Sequence, residues 1–377
     1  MDLVIAKKDL LRLVDRCQGV ADKKSAMPVL ANVLLAADGN ALRVAATDLY
    51  LAVSGQSAAE IVSAGSVAVP AKDLLDRIKA MPDGPIQLTA REGAQTIIKA
   101  VGSPRRYTLH GMPGSEFPQL PKPAADSPSL ELPVDLLSQL IARTHFSIST
   151  DETRAHVNSA LLEWAGDRVR MVTTDGHRLS KMEITLEGKS ATATMLIPLK
   201  AIHELRRLAD GSKTGEKDAP RVTITQSGPN AFFSVGGTVF SVKLVDAQFP
   251  PYHQVIPQYT QSSIRAPRAP FADALRAVSL AASDRTGGVK LTVTSRALRI
   301  TSESPESGNG FDEVSIDYEG PEVTVGFNAK YFLDVLGAID SDEIILGISG
   351  ELDPAVLRPA GETAQESYLS VIMPMRI

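Results

Sequence analysis

The feature that most constrains how this chain can fold is a threefold recurrence. The segments VPAKDLLDRIKAMPDG from Val69, IPLKAIHELRRLADGS from Ile197 and FNAKYFLDVLGAIDSD from Phe327 share one pattern. Each has an apolar residue, a lysine three positions on, apolar residues spaced as on one face of a helix, and a polar turn. The spacing of about 130 residues is too long for a solenoid unit and fits three homologous domains. A second set recurs at similar spacing, AKKDLLRLVDRCQGV, LPVDLLSQLIARTHFS and APFADALRAVSLAAS, and is also helical in pattern. The Pro-rich joins PKPAADSPSLELP and PQYTQSSIRAPRAP then divide the chain into domains 1–126, 127–259 and 260–377.

Between the helical segments the apolar residues alternate. In the first domain LVIA, VLLAAD, ALRVAAT, YLAVSG, SVAVPA, IQLTA, TIIKAVG and RYTLHG read as strands, with a hairpin at Asp38, Gly39 and Asn40. Helices are expected over Lys7 to Gly19 and Lys72 to Met81. In the second domain AFFSVGGTVFSVKLV reads as a hairpin about Gly236 and Gly237. Each domain is thus an α+β unit of two helices on antiparallel strands.

With 44% apolar and 22% charged residues the chain has the composition of an ordinary soluble globular protein. No apolar run approaches the ~20 residues a bilayer span needs, and MDLVIAKKDLL lacks the features of a signal peptide, so a cytoplasmic protein is expected. The single cysteine, Cys17, lies in a helical pattern and reads as a packed thiol, with no disulfide or Cys-based metal site. The net charge of −5 argues against holding nucleic acid by an overall excess of positive charge. Charge is nevertheless segregated. The helical segments 7–24, 72–79, 135–145, 200–213, 265–285 and 328–337 hold about 19 Lys and Arg against about 11 Asp and Glu, or about +8, leaving about −13 elsewhere. Helices facing one way would make one face positive.

The stretch TTDGHRLSK from Thr173 brings Asp175, His177 and Arg178 together, as a carboxylate orienting an imidazole would. Its counterpart in the first domain is AATDLY. The shared pairs Thr47-Asp48 and Thr174-Asp175 read as turn caps, while Gly176, His177, Arg178 and Leu179 are peculiar to the second copy. No HExxH, GxSxG, Walker or GxGxxG motif supports catalysis, and the 6 histidines are scattered singly. The alternatives at this point are a hydrolase-type enzyme using Asp175 and His177, and a DNA-binding protein that forms no ring.

The motifs MPVLANVLL, TTDGHRL, SVKLVDAQFPPYHQVIP, GFNAKYFLDVL and the terminal VIMPMRI resemble, across the whole length, the bacterial β sliding clamp family, the processivity subunit of DNA polymerase III. The resemblance implies a DNA clamp fold and a non-catalytic homodimeric ring of six domains, whose helices line a hole for duplex DNA read without sequence preference. It implies no cofactor and no metal. It also implies a hydrophobic cleft for short linear motifs of the replicative polymerase alpha subunit, the clamp loader delta subunit, other polymerases, ligase and mismatch-repair proteins.

Carried over residue by residue, the cleft comprises Val157, Thr174, Gly176, His177, Arg178, Leu179, Pro250, Val255, Val371, Ile372, Met373, Pro374, Met375 and Arg376. Unbranched Met373 and Met375 suit a groove that repacks around different partners, and His177 and Arg178 would offer donors at its rim. The DNA positions are Lys24 and Lys72, to which helical placement adds Lys7, Arg12, Lys200, Arg206, Arg207 and Arg276. The ring seam is expected at Tyr107 and Leu109 on one side and Leu280 and Ala281 on the other. The chain departs from the family pattern at Ala155, His156 and Ser159, at Gln254 and at Ala281.

Overall fold

The computed structural model describes residues 1–211, 220–283, 286–361, 363 and 365–377. Six α-helices stand among them: α1 (Lys7–Gln18), α2 (Ala71–Ala80), α3 (Val134–Ala142), α4 (Leu199–Asp210), α5 (Arg268–Ser279) and α6 (Ala329–Ala338). Each follows a strand directly and buries one apolar stripe, in α1 Leu10, Leu13, Val14 and Cys17, in α6 Ala329, Phe332, Val335 and Leu336. Burying a Leu, Val or Phe side chain of these stripes contributes about 1.5–3 kcal/mol. That burial holds helices with little capping: Ala6, Pro70 and Pro267 make no side-chain cap, whereas Asn328 accepts from the Lys330 amide. Acidic first turns (Asp9, Asp73, Asp135) and basic last turns (Arg16, Arg77, Arg207, Arg276) complement the helix dipole.

The chain divides into two compact units, Met1–Asp135 with His203–Leu244 and Leu136–Ile202 with Val245–Ile377. In the first, a five-stranded antiparallel sheet runs Glu60–Ser63, Asp2–Ala6, Pro85–Ala90, Gln95–Ala100, Arg106–His110 in space. Its second sheet has nine strands, because Leu51–Ala58 pairs with Thr238–Lys243, carrying the sheet from the first repeat into strands of the second. In the other unit a six-stranded sheet joins Arg178–Pro198 to Glu366–Ile372, so it too crosses a repeat boundary, and a four-stranded sheet has Gly308–Ser315 and Val323–Asn328 at its edges. The compact units therefore cut through the second repeat, where the sequence reading drew boundaries at the Pro-rich joins.

The expected strands and helices are present to within a few residues at their ends, and both hairpins form. Gly236 and Gly237 have φ of 51° and 77°, the left-handed pair that a tight two-residue hairpin needs. The exposed strand Glu60–Ser63, with burial on neither face, carries no alternation and was not anticipated. The charge segregation needs correction. Lys23, Lys24, Arg143 and Arg265 lie outside the helices, Arg143 pairs with Asp340 and Glu366, and Arg265 with Glu343, so the helices carry less of the basic excess than the wider segments. Residues 212, 213, 284 and 285 of those segments lie outside the described residues.

Candidate functional site

The two Thr-Asp turns have the same hydrogen-bond plan. Thr174 Oγ1 donates to the Arg178 carbonyl (2.7 Å) and accepts from the Gly176 amide (3.1 Å), while Asp175 Oδ1 accepts from the amides of His177 (2.9 Å) and Arg178 (3.0 Å). In the first domain Thr47 Oγ1 donates to the Leu51 carbonyl (2.8 Å) and accepts from Leu49 (3.0 Å), and Asp48 Oδ1 accepts from Tyr50 (2.9 Å) and Leu51 (2.6 Å). Asp175 is therefore a turn cap, as its repeat partner indicates. Its second oxygen accepts from Arg178 Nε at 3.0 Å. The carboxylate faces amides and a guanidinium, while the His177 side chain is exposed to solvent.

Arg178 does not serve the rim. Its side chain is 8% exposed and its remaining donors go to Asp334 Oδ2 (2.6 Å) and the Phe146 carbonyl, with the guanidinium 4.5 Å from the Tyr331 ring centroid. A planar fork with this many fixed partners is an anchor: it locks the end of the turn onto α6. The rim cation is Arg154. Asp151 caps its turn by accepting from the Thr153 hydroxyl and then its amide, which hold the Asp151 carboxyl below its ordinary range, and Arg154 Nη1 donates to the Asp175 carbonyl at 3.1 Å. Gly176, at φ 93°, lets this guanidinium lie against the backbone; a Cβ there would stand 3.4 Å from Arg154 Nη2.

Between these elements lies a largely apolar cavity of about 170 Å³. Of the residues expected in a cleft, Val157, Thr174, Gly176, Arg178, Leu179, Pro250, Val255, Val371 and Met373 line this cavity, together with Arg154, Pro251, Tyr252 and Gln254. Its floor is a core cluster of Leu161, Val172, Leu179, Leu196, Tyr252, Leu369 and Val371, with Val245, Phe249 and Ile256 packed against it. Tyr252 is buried with its ring stacked on His253, its hydroxyl donating to Glu163 Oε2 (3.1 Å) and accepting from Arg170 (3.3 Å). Burial first, and then the neighbouring Glu163, push its hydroxyl pKa up. The signal for Tyr252 was in the sequence, an aromatic directly after Pro250-Pro251, where two fixed φ angles rigidify a wall.

Five expected cleft residues lie elsewhere. Successive residues of a strand face opposite ways, so Val371 faces the cavity and Ile372 is fully buried in the core. His177 contributes its carbonyl, which accepts the Met373 amide at 2.9 Å. Past Met373 the chain turns away to the edge strand Val323–Asn328, where the Met375 amide donates to the Gly326 carbonyl (2.8 Å). Pro374, Met375 and Arg376 accordingly line a separate, more open hollow of about 1000 Å³ with Lys290, Glu322 and Leu352.

The expected DNA positions divide similarly. Lys24, Lys72, Lys200, Arg206 and Arg276 are exposed, Lys24 in the turn after α1 rather than on a helix. Arg12, half exposed, pairs with Asp9 at 3.0 Å. Lys7 is 17% exposed and donates to the Met81 carbonyl (2.6 Å) and Asp83 (3.2 Å), tying the start of α1 to the end of α2. Arg207 donates to the carbonyls of Asp15 and Arg16, both at 2.8 Å, satisfying the last turn of α1. Of the expected seam residues, Tyr107 and Leu109 lie on the edge strand Arg106–His110, the Leu109 side chain buried. Leu280 is 83% exposed at the end of α5 and Ala281 is buried. Beside α5 the edge strand Gly308–Ser315 presents Phe311, 65% exposed, which the sequence reading missed because it stands alone among polar neighbours.

Three α+β domains of two helices each, with antiparallel sheets continued across their boundaries, are the fold of the sliding-clamp class. Models of the DNA polymerase III beta subunit match residues 1–121 (N-terminal domain), 131–251 (central domain) and 253–376 (C-terminal domain). The beta sliding clamps of Pseudomonas putida and Caulobacter vibrioides are 31% and 30% identical, each over 100% of both chains. Crystal structures of the sliding clamp of Pseudomonas aeruginosa (29% identity, 100% of both chains) and the DNA polymerase III beta subunit of Thermotoga maritima (27%, covering 100% of this chain and 99% of that one) superpose with TM-score 0.91. The chain belongs to the DNA polymerase III beta subunit family, the beta sliding clamps. That family is one of non-catalytic processivity factors, and the enzyme reading of Asp175 and His177 is not favoured.

Proposed function

We propose that two copies of this chain close head to tail around duplex DNA and that the cavity beside the Thr174–Leu179 turn receives short linear motifs of the proteins the ring keeps on DNA. The observation that carries the reading is that apolar cavity, walled by Leu179, Val371 and Met373 with Arg154 at its mouth, in a chain of the clamp family. Its partners are the replicative polymerase alpha subunit, the clamp loader delta subunit, and further polymerases, ligase and mismatch-repair proteins, met in the cytoplasm at the nucleoid. Unbranched Met373 repacks around different side chains, which suits a groove shared by many motifs. The exposed cations Lys24, Lys72, Lys200, Arg206 and Arg276, with Arg12, are the DNA contacts. They meet phosphates only, so contact is weak, salt-sensitive and free to slide, and retention comes from closure. At the seam, Arg106–His110 of one chain pairs with Gly308–Ser315 of another, with Tyr107, Leu280 and Phe311 covered between them.

Retention on DNA tests this. The protein is loaded on nicked circular plasmid with clamp loader and ATP, the complex is isolated at moderate salt, and half is linearised. Loss from the linear half alone is the expected result; equal retention on both halves would mean binding by contact and would overturn the ring.

A further inference from the structure

We infer that Gly326 is a positioning residue for the cleft: its missing side chain is the space through which the C-terminal segment passes so that Met373 is held at the cleft wall. The inference rests on the cavity being the peptide site. Gly326 is not needed for a left-handed backbone, since its φ is not positive. It is needed for space. A Cβ at 326 would stand 2.5 Å from the Met375 carbonyl oxygen and 2.7 Å from Ile377 Cγ1, and the first of these is a backbone atom that cannot turn aside as a side chain can.

The repeats support this independently. In each domain the segment leaving the last strand crosses the strand before the second helix at the same place. Met112 pairs with Ala68, the Val245 amide donates to the Leu196 carbonyl at 3.0 Å, and the Met375 amide donates to the Gly326 carbonyl at 2.8 Å. The side chain at the crossing differs. Ala68 packs with Val29, Leu30 and Phe117, and Leu196 lies in the cluster under the cleft. At Gly326 the crossing segment itself fills the space. Met373 is clipped to the His177 carbonyl at 2.9 Å, and only Pro374, with its fixed φ, separates it from Met375. Displacing Met375 therefore moves Met373, the one residue of the terminal segment after Ile372 that lines the cavity.

The test is a double-mutant cycle on the full chain. A fluorescein-labelled hexapeptide carrying adjacent leucine and phenylalanine is titrated into wild type, Gly326→Ala, a chain ending at Met373, and the chain with both changes. Gly326→Ala is expected to weaken binding about fivefold to twentyfold, and to add less than about twofold once residues 374–377 are gone. In spectra of 13C-methyl-labelled methionine the Met373 signal should shift in Gly326→Ala while the melting temperature and dimer mass hold. Unchanged affinity in Gly326→Ala, or an equal loss in the shortened chain, overturns the inference. Failure of wild type to bind the peptide instead removes the cleft reading, and this inference with it. A Gly326→Ala chain that does not fold is covered by the spectrum of the chain ending at Met373: a Met373 signal left at its wild-type position there shows that the segment past it does not place Met373, and overturns the inference as well.

Discussion

Leu49 and Gly176 hold the same place in the two copies of the Thr-Asp turn, with φ of 77° and 93°. Only the second copy has the residue that this conformation favours. Leu49 is 53% exposed, so replacing it removes little burial. Leu49→Gly is expected to leave stability unchanged or raise it by up to about 1 kcal/mol, relief of backbone strain offsetting the added freedom of the unfolded chain. Gly176→Ala should lower it by about 1 kcal/mol; urea midpoints at constant slope check both. Arg178→Met leaves Asp175 and Asp334, each partly shielded, without their shared cation and should cost about 2–4 kcal/mol in the same measurement. The Thr-Asp cap was legible because the bonds it makes are local. The orientation of Arg178 was not, since Asp334 lies 156 residues away. Cys17 makes a further prediction. Burial pushes its thiol up to about 12 from an ordinary 9.0. Its raised value means the folded chain holds a proton that the unfolded chain releases, so this contribution is full below pH 9 and is lost as pH rises toward 12. Native protein at pH 8 should resist alkylation at Cys17, and Cys17→Ala should flatten the alkaline fall in stability.

Among elements, those with strong periodicity were readable. The helices bury stripes at 3.6-residue spacing and the hairpins turn on Asp38 to Asn40 and on Gly236-Gly237, all local signals. What an edge strand does was less readable, because an exposed apolar residue on it has no partner within its own chain to reveal its purpose. Phe311, on the strand packed beside α5, illustrates this, whereas Leu280 at the end of α5 was reached only through the family resemblance. Leu280→Asp with Phe311→Arg is expected to convert a dimer into monomers in sedimentation velocity, with circular dichroism unchanged. A dimer surviving both changes would move the seam elsewhere.

For the molecule as a whole, the threefold recurrence made the domain number legible, and the family motifs made its class legible. The continuation of sheets through the repeats was not, because it depends on backbone pairing between Leu51–Ala58 and Thr238–Lys243, far apart in sequence and ordinary in composition. That pairing has a practical consequence. The first repeat is held to the second by five residue pairs, from Leu51 with Val242 to Gly55 with Thr238, and by Arg207 on the end of α1, as well as by the linker. Peptide-bond scission in the exposed stretch 121–126 should therefore yield two fragments that separate in denaturing gels yet travel as one species in gel filtration. The covalent link there is a tether in name; the molecule would tolerate being made as two chains.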